Sequence, residues 1–129
     1  MTTDAFVMTS SRPYLLRAVN EWITDNGLTP QIVVDARQDQ VRVPTSSVRE
    51  GKIVLNISPT AVRGLSLGNE WVEFSARFGG TSFDVVVPVH AVLAIMAREN
   101  GTGMSFPEAQ SDHSPPPERQ KRPSLKVVK

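Results

Sequence analysis

Between Arg12 and Asn26 the apolar residues return every three or four positions: Leu15, Ala18, Val19, Trp22 and Ile23 fall at i, i+3, i+4, i+7 and i+8. That spacing predicts one amphipathic helix with these five on its buried face. Ser10 or Ser11 suits the cap, Pro13 suits the first turn where its missing N–H costs nothing, and Asn26-Gly27 with Pro30 ends the run. Tyr14 and Leu16 lie off the stripe, so the helix is expected to meet both its own sheet and a second subunit.

After Pro30 the period shortens to two, in runs rich in Val, Ile and Phe punctuated by turn residues. Gln31–Asp35 and Val41–Val43 read as strands across a polar DARQDQ turn, Lys52–Ile57 as a strong strand, and Leu65-Ser66-Leu67 as a short one. Trp71–Phe78 alternates, with Val72, Phe74, Ala76 and Phe78 on one face and Trp71, Glu73, Ser75 and Arg77 on the other. Gly79-Gly80 predicts a tight turn into Ser82–Val87, and Val89, Val92, Leu93 and Met96 predict a second, short helix ending at Asn100-Gly101. Short strands at regular spacing behind one helix point to a mainly β fold, a small bent sheet or barrel.

From Ser111 to Arg122 the sequence reads SDHSPPPERQKR, with three consecutive prolines and no large apolar residue. Such a stretch buries too little surface to offset its ordering entropy and is expected to stay disordered. Beyond it stands Arg122-Pro123-Ser124-Leu125-Lys126-Val127-Val128-Lys129, three apolar side chains among cations. That composition suits an extended peptide laid into a partner's groove or against its sheet edge. The reading is a domain over 1–109, a flexible linker over 110–121 and a docking peptide over 122–129. A dozen flexible residues span roughly 20 Å.

Charge is distributed to match. Residues 1–113 hold nine Lys or Arg against twelve Asp or Glu, and residues 114–129 hold five against one. An acidic body disfavours a phosphate-binding surface, which draws its affinity from clustered cations. The chain has no cysteine, hence no disulfide framework and no thiolate chemistry. MTTDAFVMTSSRP lacks the basic start and apolar run of a secretory signal, and no apolar stretch nears the roughly 20 residues of a membrane span. The expectation is a cytoplasmic protein.

Catalytic chemistry finds no constellation. His90 and His113 are far apart, neither with a ligand-spaced partner, so no metal or other cofactor is expected. Gly79-Gly80 lacks the spacing of a phosphate loop, and no serine sits in a G-x-S-x-G elbow. The chain reads as a non-enzyme. Arg77, on the polar face of its strand and flanked in sequence by the small Ser75 and Ala76, marks a shallow groove for an extended acidic peptide.

Taken in order, RPYLLRAVNEWITDN (12–26), LTPQIVVD (28–35), VRVP (41–44), GKIVLNIS (51–58), FSARFGG (74–80), VLAIMARENG (92–101) and RPSLKVVK (122–129) resemble the stringent starvation protein B family. That family supplies adaptors which deliver ssrA-tagged polypeptides to the ClpXP protease. The resemblance implies an Sm-like β-barrel that dimerises through its N-terminal helix, here Tyr14, Leu15, Leu16, Ala18, Val19 and Trp22. It implies a tag-binding groove carried by Asn56, Ile57, Ala61, Phe74, Ser75, Ala76 and Arg77. It also implies a tail that docks on the ClpX N-terminal zinc-binding domain through Arg122, Pro123, Leu125, Val127, Val128 and Lys129. The short linker, the loop PTAVRG (59–64) and the hairpin TSFD (81–84) depart from the family pattern. The rival reading is an Sm-like RNA-binding module with a basic tail, which the acidic body disfavours.

Overall fold

The computed structural model describes residues 8–107. The linker over 110–121, the docking peptide over 122–129 and His113 lie outside the described residues. Helix α1 spans Arg12–Asp25, followed by strands β1 (Pro30–Asp35), β2 (Lys52–Asn56), β3 (Val62–Leu67), β4 (Trp71–Phe78), β5 (Thr81–Pro88), β6 (Val92–Ala97) and β7 (Gly103–Ser105). The architecture is mainly β with one leading helix. The strands form two antiparallel sheets, ordered β2-β1-β6-β7 and β3-β4-β5.

These sheets stay open; the described residues form no closed barrel, which corrects the Sm-like barrel expected above. Where closure would need a ladder beside β5, the chain supplies one isolated bridge, Arg42 with Val86. The reason is local. Val41–Val43, expected as a strand, is three residues long and runs straight into Pro44, which has no N–H to extend a ladder.

One hydrophobic cluster joins both sheets. Ile32 and Val34 of β1, Ile53 and Leu55 of β2 and Ile95 of β6 meet Val72 and Phe74 of β4 and Val85 and Val87 of β5. Each set is every second residue of its strand, as a half-buried sheet requires. β4 and β5 pair without a break from Trp71–Pro88 to Phe78–Thr81. The connecting Gly79 and Gly80 have φ of 61° and 87°, the doubly left-handed turn that matches strand twist and that glycine adopts without strain.

The helix docks with a different face from the one expected. Arg12, Pro13, Leu16 and Ile23 are buried, Leu15 and Val19 partly so, while Ala18 and Trp22 are exposed. Two stripes satisfy the same 3.6-residue period here, and only packing on β6 and its neighbours chooses between them. Leu16 is 1% exposed within this chain's own core, so its side chain has no surface to give a second subunit. Tyr14 and Trp22 remain 51% and 53% exposed.

The second helix expected from Val89 to Asn100 is instead a single 3₁₀ turn, Val89–Ala91, followed by β6. VLAIMA is apolar at every position and carries no period of its own; a short run of this kind is decided by its neighbours. β6 lies between β1 and β7, pairing Ile95 with Ile32 on one side and with Met104 on the other. His90, in the 3₁₀ turn, is exposed.

Two polar anchors fix the ends of these elements. Arg12, 4% exposed, donates from Nη1 to the carbonyls of His90 (3.0 Å) and Val92 (2.9 Å) and from Nη2 to that of Pro107 (2.8 Å). Its guanidinium also lies 5.1 Å over the Phe106 ring. Asp35, 3% exposed at the end of β1, accepts from the Arg37 backbone N–H (3.0 Å), Arg37 Nε (3.0 Å) and Gln38 Nε2 (3.2 Å). The DARQ turn is therefore built on one carboxylate.

The Arg37 side chain holds the Asp35 carboxyl below its ordinary value of 3.8, against the opposing pull of burial. A lowered folded-state pKa means stability that is present above the unfolded value and lost as pH falls through the folded one. Asp35→Asn is expected to cost about 1–2 kcal/mol at neutral pH, the scale of hydrogen bonds to a charged group. The same change should reduce the loss of stability on acidification below about pH 4. Urea unfolding of both proteins at pH 7 and pH 3 checks both statements.

Candidate functional site

Strand β4 carries the strongest chemistry on the surface of the three-stranded sheet. Its inward residues Val72 and Phe74 are committed to the core, so the alternation leaves Ser75 and Arg77 on the outer face. The loop after β2 folds over the same end of the sheet. Asn56 Oδ1 accepts the Ser58 N–H at 2.9 Å, and Ser58 O accepts the N–H groups of Ala61 (2.9 Å) and Val62 (3.2 Å). This turn brings Pro59, Thr60 and Ala61 beside Ser75, Ala76 and Arg77.

Between them lies an open hollow of about 440 Å³, lined also by Val62, Arg63 and Ser82. Its floor is small (Ala61, Ala76, Ser75) and its rim carries two guanidinium groups. Arg77 is exposed, and its Nη1 donates to the Gly80 carbonyl at 3.1 Å, which steadies the side chain along the hairpin. Ser75 Oγ donates to Asp84 Oδ1 at 2.5 Å. The hollow therefore offers cations, hydroxyls and a strand face, a setting for an extended peptide with acidic side chains.

Of the seven residues expected at a groove, Ala61, Ser75, Ala76 and Arg77 line this hollow together. The other three do not. Ile57 is fully buried and Phe74 is 4% exposed, both within the core cluster, so their side chains are committed to the core and do not line the hollow. Asn56 is half-buried, and its side chain holds the loop by bonding to Ser58. Pro59, Thr60, Arg63 and Ser82 line the hollow without having been expected there. Ser82 had a signal: once the turn is set at Gly79-Gly80, register puts it opposite Arg77.

A second hollow, about 310 Å³, lies between the start of α1 and the 3₁₀ turn, lined by Ser10, Arg12, Trp71 and His90 among others. Its one buried cation, Arg12, is bonded to three carbonyls, which leaves a weaker claim on a ligand. Among the described residues no group of three or more His, Cys, Asp or Glu is placed to hold a metal ion. No helix among them is long and apolar enough to cross a membrane.

Because Phe74 is core, Phe74→Ala should destabilise the domain by about 3–5 kcal/mol, the usual cost of emptying a buried phenylalanine site. Ser75→Ala, one residue away on the outer face, should cost less than about 1 kcal/mol. Chemical unfolding of the two variants measures the contrast directly.

A family model described as Stringent starvation protein B matches residues 10–127 of the chain. The stringent starvation protein B homolog of Haemophilus influenzae is 50% identical over 95 residues. The match covers 74% of this chain and 63% of that relative, so the chain spans less than two thirds of the relative's length.

Proposed function

The chain belongs to the stringent starvation protein B family, and from that premise we propose that it is a proteolytic adaptor. It binds ssrA-tagged polypeptides in the hollow beside β4 and tethers them to ClpX of the ClpXP protease through residues 122–129. The observation that carries this reading is the meeting of Ala61, Ser75, Ala76 and Arg77 on one open hollow of the size and polarity an extended peptide needs. Arg77 meets a carboxylate of the tag, and the small floor admits the peptide backbone.

The work of such an adaptor is mass action. One site holds the substrate and another holds the unfoldase, so the second encounter becomes intramolecular at high effective concentration. Neither contact needs to be tight, and transfer to the protease requires that neither is. Leu125, Val127 and Val128 supply apolar contacts to the ClpX N-terminal domain, and Arg122, Lys126 and Lys129 flank them with charge. This function requires no catalytic group and acts in the cytoplasm, where both partners reside.

The test is degradation of an ssrA-tagged reporter by ClpXP at substrate concentrations well below KM, with the full chain and a chain ending at residue 121. Truncation should leave ssrA-peptide affinity and Tm unchanged and reduce the stimulation about tenfold or more, the scale of a lost tether. Equal stimulation by both would overturn the tethering role. Failure of the full chain to bind an ssrA peptide would overturn the groove.

The adaptor acts as a C₂ homodimer across the outer face of α1. Tyr14 and Trp22 are large, apolar and about half exposed, and Ala18 between them leaves room for a close helix approach. Leu15 and Val19 flank the patch; Leu16, in the core, is not part of it. Trp22→Glu should shift the chain toward monomer in sedimentation equilibrium at micromolar concentration, with the folded circular-dichroism spectrum retained. A wild-type monomer under those conditions would reject the interface.

A further inference from the structure

The outer face of the three-stranded sheet holds a residue that neither the sequence pattern nor the family resemblance assigned. Arg63 of β3 stands opposite Ser75 of β4, and Asp84 of β5 stands opposite Ser75 on its other side. Residues directly opposite share a face, so Arg63, Ser75 and Asp84 form one row, with Arg77 and Ser82 the next row along.

A bulge makes this possible. The β3–β4 register passes from Arg63–Ser75 to Ser66–Glu73, three residues on one strand against two on the other. The extra residue inverts the parity of β3, so that Val62 and Leu67 both face the core while Arg63 and Ser66 both face out. Gly64 sits in the bulge with φ of 65°, a conformation glycine takes freely. Without it, a chain holding Leu67 inward would turn Arg63 into the core.

Arg63 is exposed on the rim of the hollow, and its guanidinium has no hydrogen bond or ion pair among the described residues. Arg77, its diagonal neighbour, is roughly 7–8 Å away at the backbone. Alternate residues of an extended peptide, which point to the same side, are separated by roughly 6.8 Å. The two spacings match. Asp84, on the opposite flank, repels acidic groups from the β5 side and confines them to the β3–β4 half.

We propose that Arg63 is a second carboxylate-reading residue of the groove, taking an acidic side chain two positions along an extended peptide from the one that meets Arg77. This rests on the reading of the hollow as a peptide groove. It narrows the ligand class from peptides with an acidic residue to peptides with two, spaced Asp-Xaa-Asp or Glu-Xaa-Glu. An exposed Arg–carboxylate pair at the edge of a groove is worth about a three- to tenfold gain in affinity.

The experiment is fluorescence anisotropy on the full chain with four labelled peptides of otherwise fixed Ala and Asn composition. One carries Asp-Xaa-Asp, two carry a single Asp at either position, and one carries none; an ssrA peptide is the positive control. In wild type the diacidic peptide should bind about three- to tenfold more tightly than either monoacidic one. Arg63→Gln should remove that gain for one of the two Asp positions only, Arg77→Gln for the other, and Arg63→Lys should restore part of it. Equal loss across all four peptides, or unchanged affinity in Arg63→Gln while the ssrA control binds, would overturn the assignment of Arg63. Failure of the ssrA control in wild type would overturn the groove itself, a distinct result.

Discussion

The eight residues of β4 serve two surfaces at once, and the register of this strand against β5 decides both. Val72 and Phe74 must lie inward for the two sheets to share a core, and the same alternation then turns Ser75 and Arg77 outward. A slip of one residue would put Phe74 in water and turn Arg77 inward, beside Phe83. The hairpin at Gly79-Gly80 blocks that slip, because its turn fixes Phe78 opposite Thr81 and every pair behind it. Burial of one face is thus what places the charge on the other. The outer face is well defined because the close-packed core beneath it favours a single register.

The same coupling runs through α1. Arg12 stands at its first turn with a nearly inaccessible guanidinium, and its donors reach carbonyls of the 3₁₀ turn, β6 and Pro107. Burying a cation is costly unless its hydrogen bonds are made, and here three carbonyls from distant segments make them. The helix is thereby held in a rotation that buries Leu16 and Ile23 and presents Tyr14 and Trp22. Arg17 reinforces that rotation from the outside, donating to the Leu67 carbonyl at 2.8 Å with its guanidinium 4.7 Å over the Tyr14 ring. One buried ionic anchor therefore influences both the core and the exposed patch assigned to dimerisation.

What the sequence made legible follows from how local each signal is. The β4–β5 hairpin was readable because alternation, a Gly-Gly turn and strand length agree within eighteen residues. The extent of α1 was readable from its caps and breakers, but not its rotation, since Leu15-Ala18-Trp22 and Arg12-Leu16-Ile23 fit one period equally well. β6 reads as a helix in sequence because VLAIMA is buried by contacts to β1 and β7, about sixty and about ten residues distant, and uniform hydrophobicity records no period. β7, three exposed residues including a glycine, gave no strand signal at all. Within the groove, Ser75, Ala76 and Arg77 could be grouped from their own strand. Arg63 could not, because its orientation depends on a bulge, and an extra residue in a ladder is visible only once the partner strand is known.

That bulge also lets the surface charge of the sheet change without disturbing stability. Arg63 contributes nothing to the core, Gly64 carries the backbone conformation, and a Cβ there would meet no atom within 4 Å. The cost of altering Gly64 is therefore conformational, about 1 kcal/mol for a left-handed residue, and not steric. A substitution at Arg63 costs still less, since neighbouring strands already satisfy the ladder. Position 63 is thus a place where the charge of the hollow can change independently of the hydrophobic contacts that hold Arg77 in register. Arg77 is tied to the Gly80 carbonyl while Arg63 has no such tie, so on the proposed reading the first cation would set the position of a bound carboxylate and the second would select among the peptides that can also reach it.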